Sequence, residues 1–485
     1  MTADARTRWL ALYVLCLGDL MIVLDTTIVN VALPSIRTDL GFSEASLAWV
    51  VNAYLLTFGG FLLLAGRFGD LYGQRRLFLI GITAFTIASL ACGLANSQGF
   101  LVAARAVQGL GGAIVSAIAL SLIMILFTQP AERAKAMGVV GFVLSGGGTA
   151  GVLLGGVLTD SLSWHWIFLV NLPVGVAVFA LCLALLPSDS PTRTGQLDIA
   201  GAVTVTASLM LAVYAIVNGN QEGWTSAQSL GMLAGAVGLL AAFLAIEARV
   251  SAPLMPLGLF RIGNVASANV TGILLAGAMF AWFFLSALYL QRVLGYSALE
   301  VGFAFLPATL VWGAASLFVS DKLVMRFGIK VPLIGGLLLY TLVLLLFARA
   351  PTDGNFAVDI LPGMLLIGLG GGITFNPILL AAMGSVEPSE SGLASGVVNT
   401  SFMMGGALGL AVLASVAASR TESLTASEHG PLAALNGGYH LAFVVGAVFA
   451  VVAAAVAGAL IRADVSAVAH ATEEPAGVPA GAEAD

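Results

Sequence analysis

Residues 9–33 read WLALYVLCLGDLMIVLDTTIVNVAL, an apolar run whose only charged side chains are Asp19 and Asp25. A helix rises about 1.5 Å per residue, so about twenty apolar residues cross a bilayer core of about 30 Å. Backbone polar groups find no water inside lipid, and a spanning segment must therefore satisfy them internally as a helix. Residues 9–33 are predicted to form a transmembrane helix that buries two carboxyl groups.

The whole chain shares the apolar character of this run. Of its 485 residues, 59% are hydrophobic and 9% are charged. Soluble domains carry about 25% charged residues, so lipid is the expected solvent for most of the chain. The net charge is only −6, and no basic run is present that would suit nucleic acid. The composition predicts an all-α, multi-pass protein of the cell membrane.

Runs of spanning length recur along the sequence. The fourteen candidate spans cover residues 9–33, 46–66, 77–96, 98–126, 136–160, 166–187, 198–218, 229–247, 264–290, 298–320, 331–350, 358–383, 393–418 and 439–462. With the N-terminus inside, most Lys and Arg residues of the short loops fall on the cytoplasmic side, as the positive-inside rule requires. Both termini are therefore predicted to be cytoplasmic, and residues 463–485, rich in Ala, Glu and Pro, to be a disordered tail.

Two separate segments indicate an internal duplication. GRFGDLYGQRR at 66–76 has a weaker counterpart in DKLVMRFGIK at 321–330, and Gly-Val-Val at 138–140 recurs at 396–398. The second copies lie 255 and 258 residues after the first. We therefore predict two six-helix bundles with two inserted helices between them. The predicted divisions are an N-terminal bundle at 1–187, inserted helices with their loops at 188–262 and a C-terminal bundle at 263–462. Many transporters are built from parallel repeats of this kind, and their substrate site lies near the bilayer midplane between the repeats.

Four stretches lie within or beside the first, second, fourth and sixth predicted spans. They are LDTTIVNVALP at 24–34, GRFGDLYGQRR at 66–76, RAVQGLGG at 105–112 and WHWIFLVNLPVG at 164–175. Together they resemble the major facilitator superfamily, in particular its fourteen-helix drug:proton antiporter branch. The resemblance implies a major facilitator fold and proton-coupled export of amphipathic drugs or antibiotics by alternating access. It also implies a monomer that uses the proton gradient as its energy source and needs no cofactor.

Two other functions stay open at this stage. Gly148 and Val152 stand where the antiporter motif of the fifth helix carries prolines. This departure leaves room for a major facilitator transporter of another cargo or direction, such as a metabolite importer or a lipid translocator. A membrane enzyme or a channel would be a different class. The sequence has no phosphate-binding lysine loop, zinc-binding His-Glu-x-x-His or nucleophile elbow, so we predict that the chain is not an enzyme and holds no metal.

Asp25 and Arg105 are charged residues within predicted spans, where charges are costly and usually functional. Asp25 lies about 15 residues into a helix that rises from the cytoplasm, or roughly 22 Å along it. Arg105 lies about 7 residues into a descending helix, roughly 10 Å below the outer face. In a core of about 30 Å these depths nearly coincide, so the two side chains can pair.

Burial favours the protonated form of a carboxyl group, whereas a nearby cation opposes protonation. Asp25 is therefore predicted to load and release a proton as access alternates, with Arg105 as its partner. The alternative is a permanent ion pair that only fixes helix packing. Asp19 is assigned to proton coupling as well, either as a second cavity acid or as a polar contact between helices.

Further residues are candidates for conformational change. By resemblance, Asp70 would latch the two halves in the outward-facing state, and Gly66, Gly73 and Arg75 of the same segment are assigned to gating; the alternative is a charge cluster that only sets topology. Gly147, Gly151 and Gly155 repeat every four residues, which places them on one helix face where backbones can approach closely. They are predicted to form a tight contact, a pliable seam, or both, and Gly405 and Gly409 could serve likewise.

Polar and aromatic residues in the predicted spans are candidates for a substrate cavity, although each aromatic could instead pack or face lipid. These candidates are Asn52, Tyr54, Gln108, Trp282, Phe283 and Tyr289.

Overall fold

The chain folds into helices wherever its structure is described. The computed structural model describes residues 5–43, 45–127, 129–186, 198–251, 253–383, 386, 391–427 and 430–462. The predicted tail at 463–485 lies outside the described residues, as do some side chains within helices, including those of Arg67 and Asp70. Every regular element in the described part is a helix, which agrees with the all-α prediction.

Seven α-helices precede the predicted insertion. They are α1 (Ala5–Leu40), α2 (Trp49–Tyr72), α3 (Gln74–Gly93), α4 (Gln98–Leu126), α5 (Pro130–Ser161), α6 (Trp166–Leu169) and α7 (Asn171–Leu185). The insertion contains α8 (Ile199–Glu222) and α9 (Ala227–Glu247). The remaining helices are α10 (Val265–Arg292), α11 (Ala298–Ala315), α12 (Asp321–Phe327), α13 (Lys330–Phe347), α14 (Leu361–Met383), α15 (Ser391–Ala426) and α16 (Pro431–Leu460).

These helices account for the fourteen predicted spans. α6 is followed at once by α7, and α11 continues into α12 through a π-helical turn at Ser316–Ser320, so each pair forms one span. Thirteen segments of the described part are long and apolar enough to cross a membrane. The remaining predicted span, at 136–160, corresponds to the 32-residue helix α5. Side chains such as Leu181, Val237 and Phe318 are exposed on the outer helix surfaces, where an apolar side chain suits lipid.

The predicted spans at 46–66 and 77–96 leave a loop between them, and this loop prediction is wrong. α2 continues through Gly66 to Tyr72, and α3 begins at Gln74, so only Gly73 interrupts the two helices. Gly73 has φ 97°, a left-handed value that glycine adopts without steric cost. Gly328 occupies the equivalent break between α12 and α13 with φ 73°. The sequence match between the two segments therefore reflects a shared backbone break.

The packing of the second bundle repeats that of the first. α1 packs against α5 and α7, as α10 packs against α15 and α16. α3 packs against α4 and α7, as α13 packs against α14 and α16. The inserted helices pack against each other, and α8 also contacts α2 and α15. The architecture is thus two six-helix bundles with an added helix pair, while the division at residues 187 and 262 stays a prediction.

The two bundles approach each other through α5 and α11 and through α2 and α15. We call the side on which α1 begins the near side and the opposite side the far side. On the far side, a β-carbon added to Gly156 would lie 2.7 Å from the Ala298 carbonyl oxygen. A β-carbon on Gly302 would lie 3.1 Å from the Val152 carbonyl oxygen. Glycine at both positions lets the α5 and α11 backbones touch, so the bundles are in close contact there.

Hydrogen bonds add to this far-side contact. The Asp160 carboxylate, near the end of α5, accepts hydrogen bonds from the backbone N–H groups of Ala298 (3.1 Å) and Leu299 (2.9 Å). These groups belong to the first turn of α11, whose N–H groups have no partners within the helix. The Gln291 amide of α10 donates to the Val31 carbonyl oxygen of α1 at 2.9 Å. Asp160 therefore caps a helix of the opposite bundle.

Replacing Asp160 by asparagine is expected to favour opening of the far side. Asparagine keeps one acceptor oxygen but loses the charge and one of the two bonds. A hydrogen bond to a charged group contributes about 1.5–3 kcal/mol, which corresponds to a shift of about tenfold or more in the population of the closed form. Spin labels at the exposed positions Leu162 and Phe303 would report the change as a longer distance between α5 and α11.

Glu300 supplies the matched control for this substitution. Its carboxylate also bonds at the start of α11, but to Ser297 of the same bundle. Glu300→Gln is expected to leave the label distance unchanged. An equal distance distribution for Asp160→Asn and the parent protein would contradict the role of Asp160.

Candidate functional site

Asp25 and Arg105 form the ion pair that their predicted depths allowed. Asp25 lies in α1 with 0% of its surface exposed, and Arg105 lies in α4 with 1% exposed. Arg105 Nη1 donates a hydrogen bond to Asp25 Oδ2. The pair is enclosed within the first bundle, where neither charge is hydrated.

Two amide side chains complete the surroundings of the Asp25 carboxylate. Gln108 Nε2 of α4 donates to Asp25 Oδ1 at 2.7 Å, and Asn171 Nδ2 of α7 donates to the same oxygen at 3.2 Å. Arg105 Nη1 also donates to Gln108 Oε1 at 2.8 Å, which orients that amide toward Asp25. Three donors thus converge on one carboxylate, and both of its oxygens accept hydrogen bonds.

Ser89 of α3 links this cluster to the remaining helices. Its hydroxyl oxygen accepts hydrogen bonds from Gln108 Nε2 (3.1 Å) and Asn171 Nδ2 (3.0 Å). The hydroxyl donates to the Phe168 carbonyl oxygen at 2.9 Å. Cys92, also on α3, lies 3.5 Å from Gln108 Oε1. Helices α1, α3, α4, α6 and α7 therefore meet at one polar cluster.

The Arg105 guanidinium is held from α2 as well. Its Nε donates to the Val50 carbonyl oxygen at 2.9 Å, and its Cζ lies 4.4 Å from the centre of the Tyr54 ring. The Phe168 ring lies 5.6 Å from the same atom. Aromatic faces attract a cation, particularly where water is excluded. Arg105 thus keeps favourable contacts even if Asp25 becomes neutral.

The two charges of this cluster depend on each other. A buried ion pair is favourable only while both charges are present, because an unpaired buried charge is strongly destabilising. Loss of either charge would leave the other buried without its partner.

Asn171 and Ser89 belong to this cluster but were not among the predicted site residues. Asn171 is a single amide within the motif at 164–175, and its polarity in an apolar span is the signal that could have identified it. Ser89 carries no such signal, because small hydroxyl residues are ordinary at helix contacts in membranes.

Asp19 does not join the Asp25 cluster. It is 6% exposed and lies within hydrogen-bonding reach of the Ser116 hydroxyl on α4. Its Oδ1 atom has no partner among the described residues. The geometry matches the expected contact between helices, whereas a role for Asp19 in proton coupling stays a prediction.

The predicted latch residues occupy the near end of α2 and α3. Arg75 Nη2 donates to the Leu183 carbonyl oxygen of α7 at 2.6 Å, a bond within the first bundle. Gly66 lies in an open part of the α2 surface, with no described atom within 4 Å of an added β-carbon. The Asp70 side chain lies outside the described residues, so the latch between the halves stays a prediction.

The glycine stripe of α5 does face a neighbouring helix. β-Carbons added to Gly147 and Gly155 would lie 2.9 Å from Leu20 Cδ1 and 2.8 Å from the Ile28 carbonyl oxygen. One on Gly151 would lie 3.0 Å from the Leu24 carbonyl oxygen. The stripe thus lies in a tight helix contact whose partner is α1, and a pliable seam remains a prediction.

The predicted cavity residues lie in both bundles. Among the described residues, the two amide atoms of Asn52 and the Tyr54 hydroxyl have no hydrogen-bond partner. Trp282 and Phe283 pack in an aromatic cluster with Phe305 of α11. The Tyr289 hydroxyl donates to the Pro351 carbonyl oxygen at 2.6 Å. All of the predicted cavity residues except Phe283 are buried, so their exposure to a substrate stays a prediction.

Three cavities in the described part are not lined by the predicted cavity residues. A cavity of about 550 Å³ lies between α8, α15 and α16, bordered by Trp224, Ser415 and Arg420. The predicted cavity residues do not line it. Within the described part, no group of three or more His, Cys, Asp or Glu side chains could hold a metal ion.

Two bundles of matching architecture, built from membrane-length helices and enclosing a buried ion pair, define a multi-pass membrane protein of the transporter class. The sequence profile of the Major Facilitator Superfamily matches residues 15–410, and the chain belongs to this family. It is therefore a transporter and not an enzyme.

Several relatives are similar over most of their length. The cephamycin export protein CmcT of Amycolatopsis lactamdurans is 40% identical, with 92% of this chain and 91% of the relative covered. The puromycin resistance protein pur8 of Streptomyces alboniger is 40% identical, with 92% and 88% covered. The lincomycin resistance protein of Streptomyces lincolnensis is 36% identical, with 85% of each chain covered. The chain thus resembles exporters of antibiotics and proteins that confer resistance to them.

Solved structures share the fold at low sequence identity. The nucleoside transporter NupG superposes with a TM-score of 0.65 at 13% identity, covering 93% of this chain and 100% of that protein. A bacterial homologue of the human lysosomal transporter Spinster superposes with a TM-score of 0.65 at 18% identity, covering 94% and 97%. These similarities confirm the major facilitator fold.

Proposed function

We propose that this transporter exports amphipathic antibiotics or related drugs across the cell membrane in exchange for protons, by alternating access. The relatives named for cephamycin export and for puromycin or lincomycin resistance support this cargo class. The buried Asp25–Arg105 pair is the observation that carries the proposed proton coupling. In this proposal the protein acts as a monomer, the near side faces the cytoplasm, and the proton gradient is the energy source.

The Asp25 cluster suggests how proton binding and helix movement are coupled. While Asp25 is charged, its bonds to Arg105, Gln108 and Asn171 hold α1 against α4 and α7. Proton uptake from the outside neutralises Asp25 and weakens these bonds, whereas Arg105 retains Val50 and the Tyr54 ring. α1 can then shift along the glycine face of α5. Proton release to the cytoplasm restores the ion pair and prepares the next cycle.

Transport by vesicles of defined orientation tests the export reaction. Everted vesicles expose the cytoplasmic face, so an acidic interior is expected to drive accumulation of puromycin or lincomycin, and collapse of the gradient should release it. A host that lacks its own pumps should tolerate more drug when it produces the chain. Accumulation in right-side-out vesicles under an inward proton gradient would instead indicate an importer and overturn the proposal.

A further inference from the structure

Two buried carboxyl groups lie close together where the two inserted helices meet on the near side. Asp198 is the N-cap of α8, Glu247 is the last residue of α9, and each is 3% exposed. Asp198 Oδ1 accepts a hydrogen bond from the Gly201 N–H at 2.7 Å. Glu247 Oε2 accepts one from the Met255 N–H at 3.0 Å. One oxygen of each carboxyl is therefore fixed by the backbone.

The remaining two oxygens converge on one small space. Asp198 Oδ2 and Glu247 Oε1 are buried and accept no hydrogen bond from a described residue. A β-carbon added to Gly201 would touch Asp198 Oδ2 and would lie 2.9 Å from Glu247 Oε1. The two carboxyl groups are within hydrogen-bonding reach of each other. The absence of a side chain at position 201 thus leaves room for the two oxygens to meet.

In the part of the chain that the structure describes, no cation forms a close ion pair with either oxygen. From α2, Leu64 packs with Ala202 and Leu254 in an apolar cluster beside the pair. On the segment after α9, Arg249 is exposed, and the backbone amides of Leu254 and Met255 face Glu247.

Two negative charges side by side in this buried position would raise the free energy of the folded protein. Burial penalises each charge, and like charges at short range raise the affinity of one group for a proton. A single proton between the oxygens turns this repulsion into a hydrogen bond and satisfies both atoms. A hard metal cation would need about six to eight oxygen ligands, whereas only two unpaired oxygens meet here.

We propose that Asp198 and Glu247 share one proton, so that the near ends of α8 and α9 carry a proton site separate from Asp25. The shared proton joins the start of α8 to the end of α9 and, through Met255, to the segment that leads to α10. Because the two oxygens meet only in the folded protein, the shared proton stabilises the fold for as long as it is bound. Its stabilising effect is therefore complete at low pH and is lost as the pH rises and the pair gives up the proton.

Infrared spectroscopy of the purified full chain tests this assignment directly. A protonated buried carboxyl group has a carbonyl band that ionised carboxylates lack and that shifts on deuteration. The difference spectra of the parent protein against Asp198→Asn and against Glu247→Gln are both expected to show loss of one such band at neutral pH. Either amide can donate its N–H where the proton was, so both variants should fold. Glu222→Gln, on an exposed residue of the same helix α8, is the control and should keep the band.

Thermal unfolding provides a second, independent measurement. The melting temperature of the parent protein is expected to fall as the pH rises and the pair loses its shared proton. Glu247→Gln should remove most of this decrease, and Glu222→Gln should not. The proposal is overturned if neither amide variant loses the carbonyl band, or if the melting profiles of parent and Glu247→Gln change equally with pH.

Discussion

Replacing Asp25 by asparagine is expected to abolish drug transport driven by a pH gradient. Asparagine has nearly the same shape, and its amide can still bond Gln108 or Asn171, but it cannot take up and release a proton. Drug exchange in counterflow, which needs no net proton movement, should persist. Proton release on addition of drug to the purified protein should disappear. These two measurements distinguish lost coupling from lost binding.

The same substitution is expected to lower stability for a separate reason. Arg105 would remain charged and 1% exposed without its carboxylate partner. Removal of one member of a buried ion pair costs about 3–5 kcal/mol. Thermal unfolding of Asp25→Asn should therefore begin at a markedly lower temperature than that of the parent protein.

A double variant separates these two effects. Asp25→Asn combined with Arg105→Gln removes both charges, so it should recover much of the lost melting temperature while gradient-driven transport stays absent. Asp25→Glu keeps a titratable carboxyl group, at a cost of about 1–3 kcal/mol for the extra methylene in a packed site, and should retain some coupling. Undiminished gradient-driven transport by Asp25→Asn would refute the proposed role.

Replacing Gly409 by alanine is expected to disrupt the second bundle. A β-carbon at this position would press on Gly277 Cα and lie 2.8 Å from the Gly277 carbonyl carbon. Backbone atoms cannot move aside as a flexible side chain can, so α10 and α15 would have to separate. Overpacking typically costs about 1–3 kcal/mol and can cost more, and the melting temperature of the purified protein should fall accordingly.

Gly335 is the matched control in the same bundle. It lies within α13, and an added β-carbon there would meet no described atom within 4 Å. Because alanine favours a helix over glycine by about 1 kcal/mol, Gly335→Ala should be neutral or slightly stabilising. Equal melting temperatures for the two variants would show that the close approach of α10 and α15 contributes nothing.

The close approach at Gly409 also explains why the glycine pattern could be interpreted from sequence. Gly147 and Gly151 face α1, and Gly405 and Gly409, 258 residues later, face α10. Four-residue spacing fixes a common face, and a small residue on that face is useful only where another backbone approaches. The sequence could not identify the partner helix, because the partner is set by contacts between distant segments.

The sequence by itself determined that the chain is a multi-pass membrane protein built from many helices of spanning length, and that Asp25 and Arg105 lie at similar levels along theirs. The physical reason is that a bilayer imposes a fixed thickness, so residue counts along a helix convert directly into depth. This was enough to predict that Asp25 and Arg105 could meet.

Only the tertiary structure decided which other groups meet that pair. Depth does not fix the rotation of each helix or its neighbours, so the convergence of Ser89 and Asn171 on the cluster could not be predicted from spacing. Spacing also could not predict that Asp19 lies apart from the Asp25 cluster. Nor could it predict that Asp198 meets Glu247, which lies 49 residues later in the sequence. Packing of whole helices against one another sets these contacts, and that packing depends on the complete set of side chains at each interface.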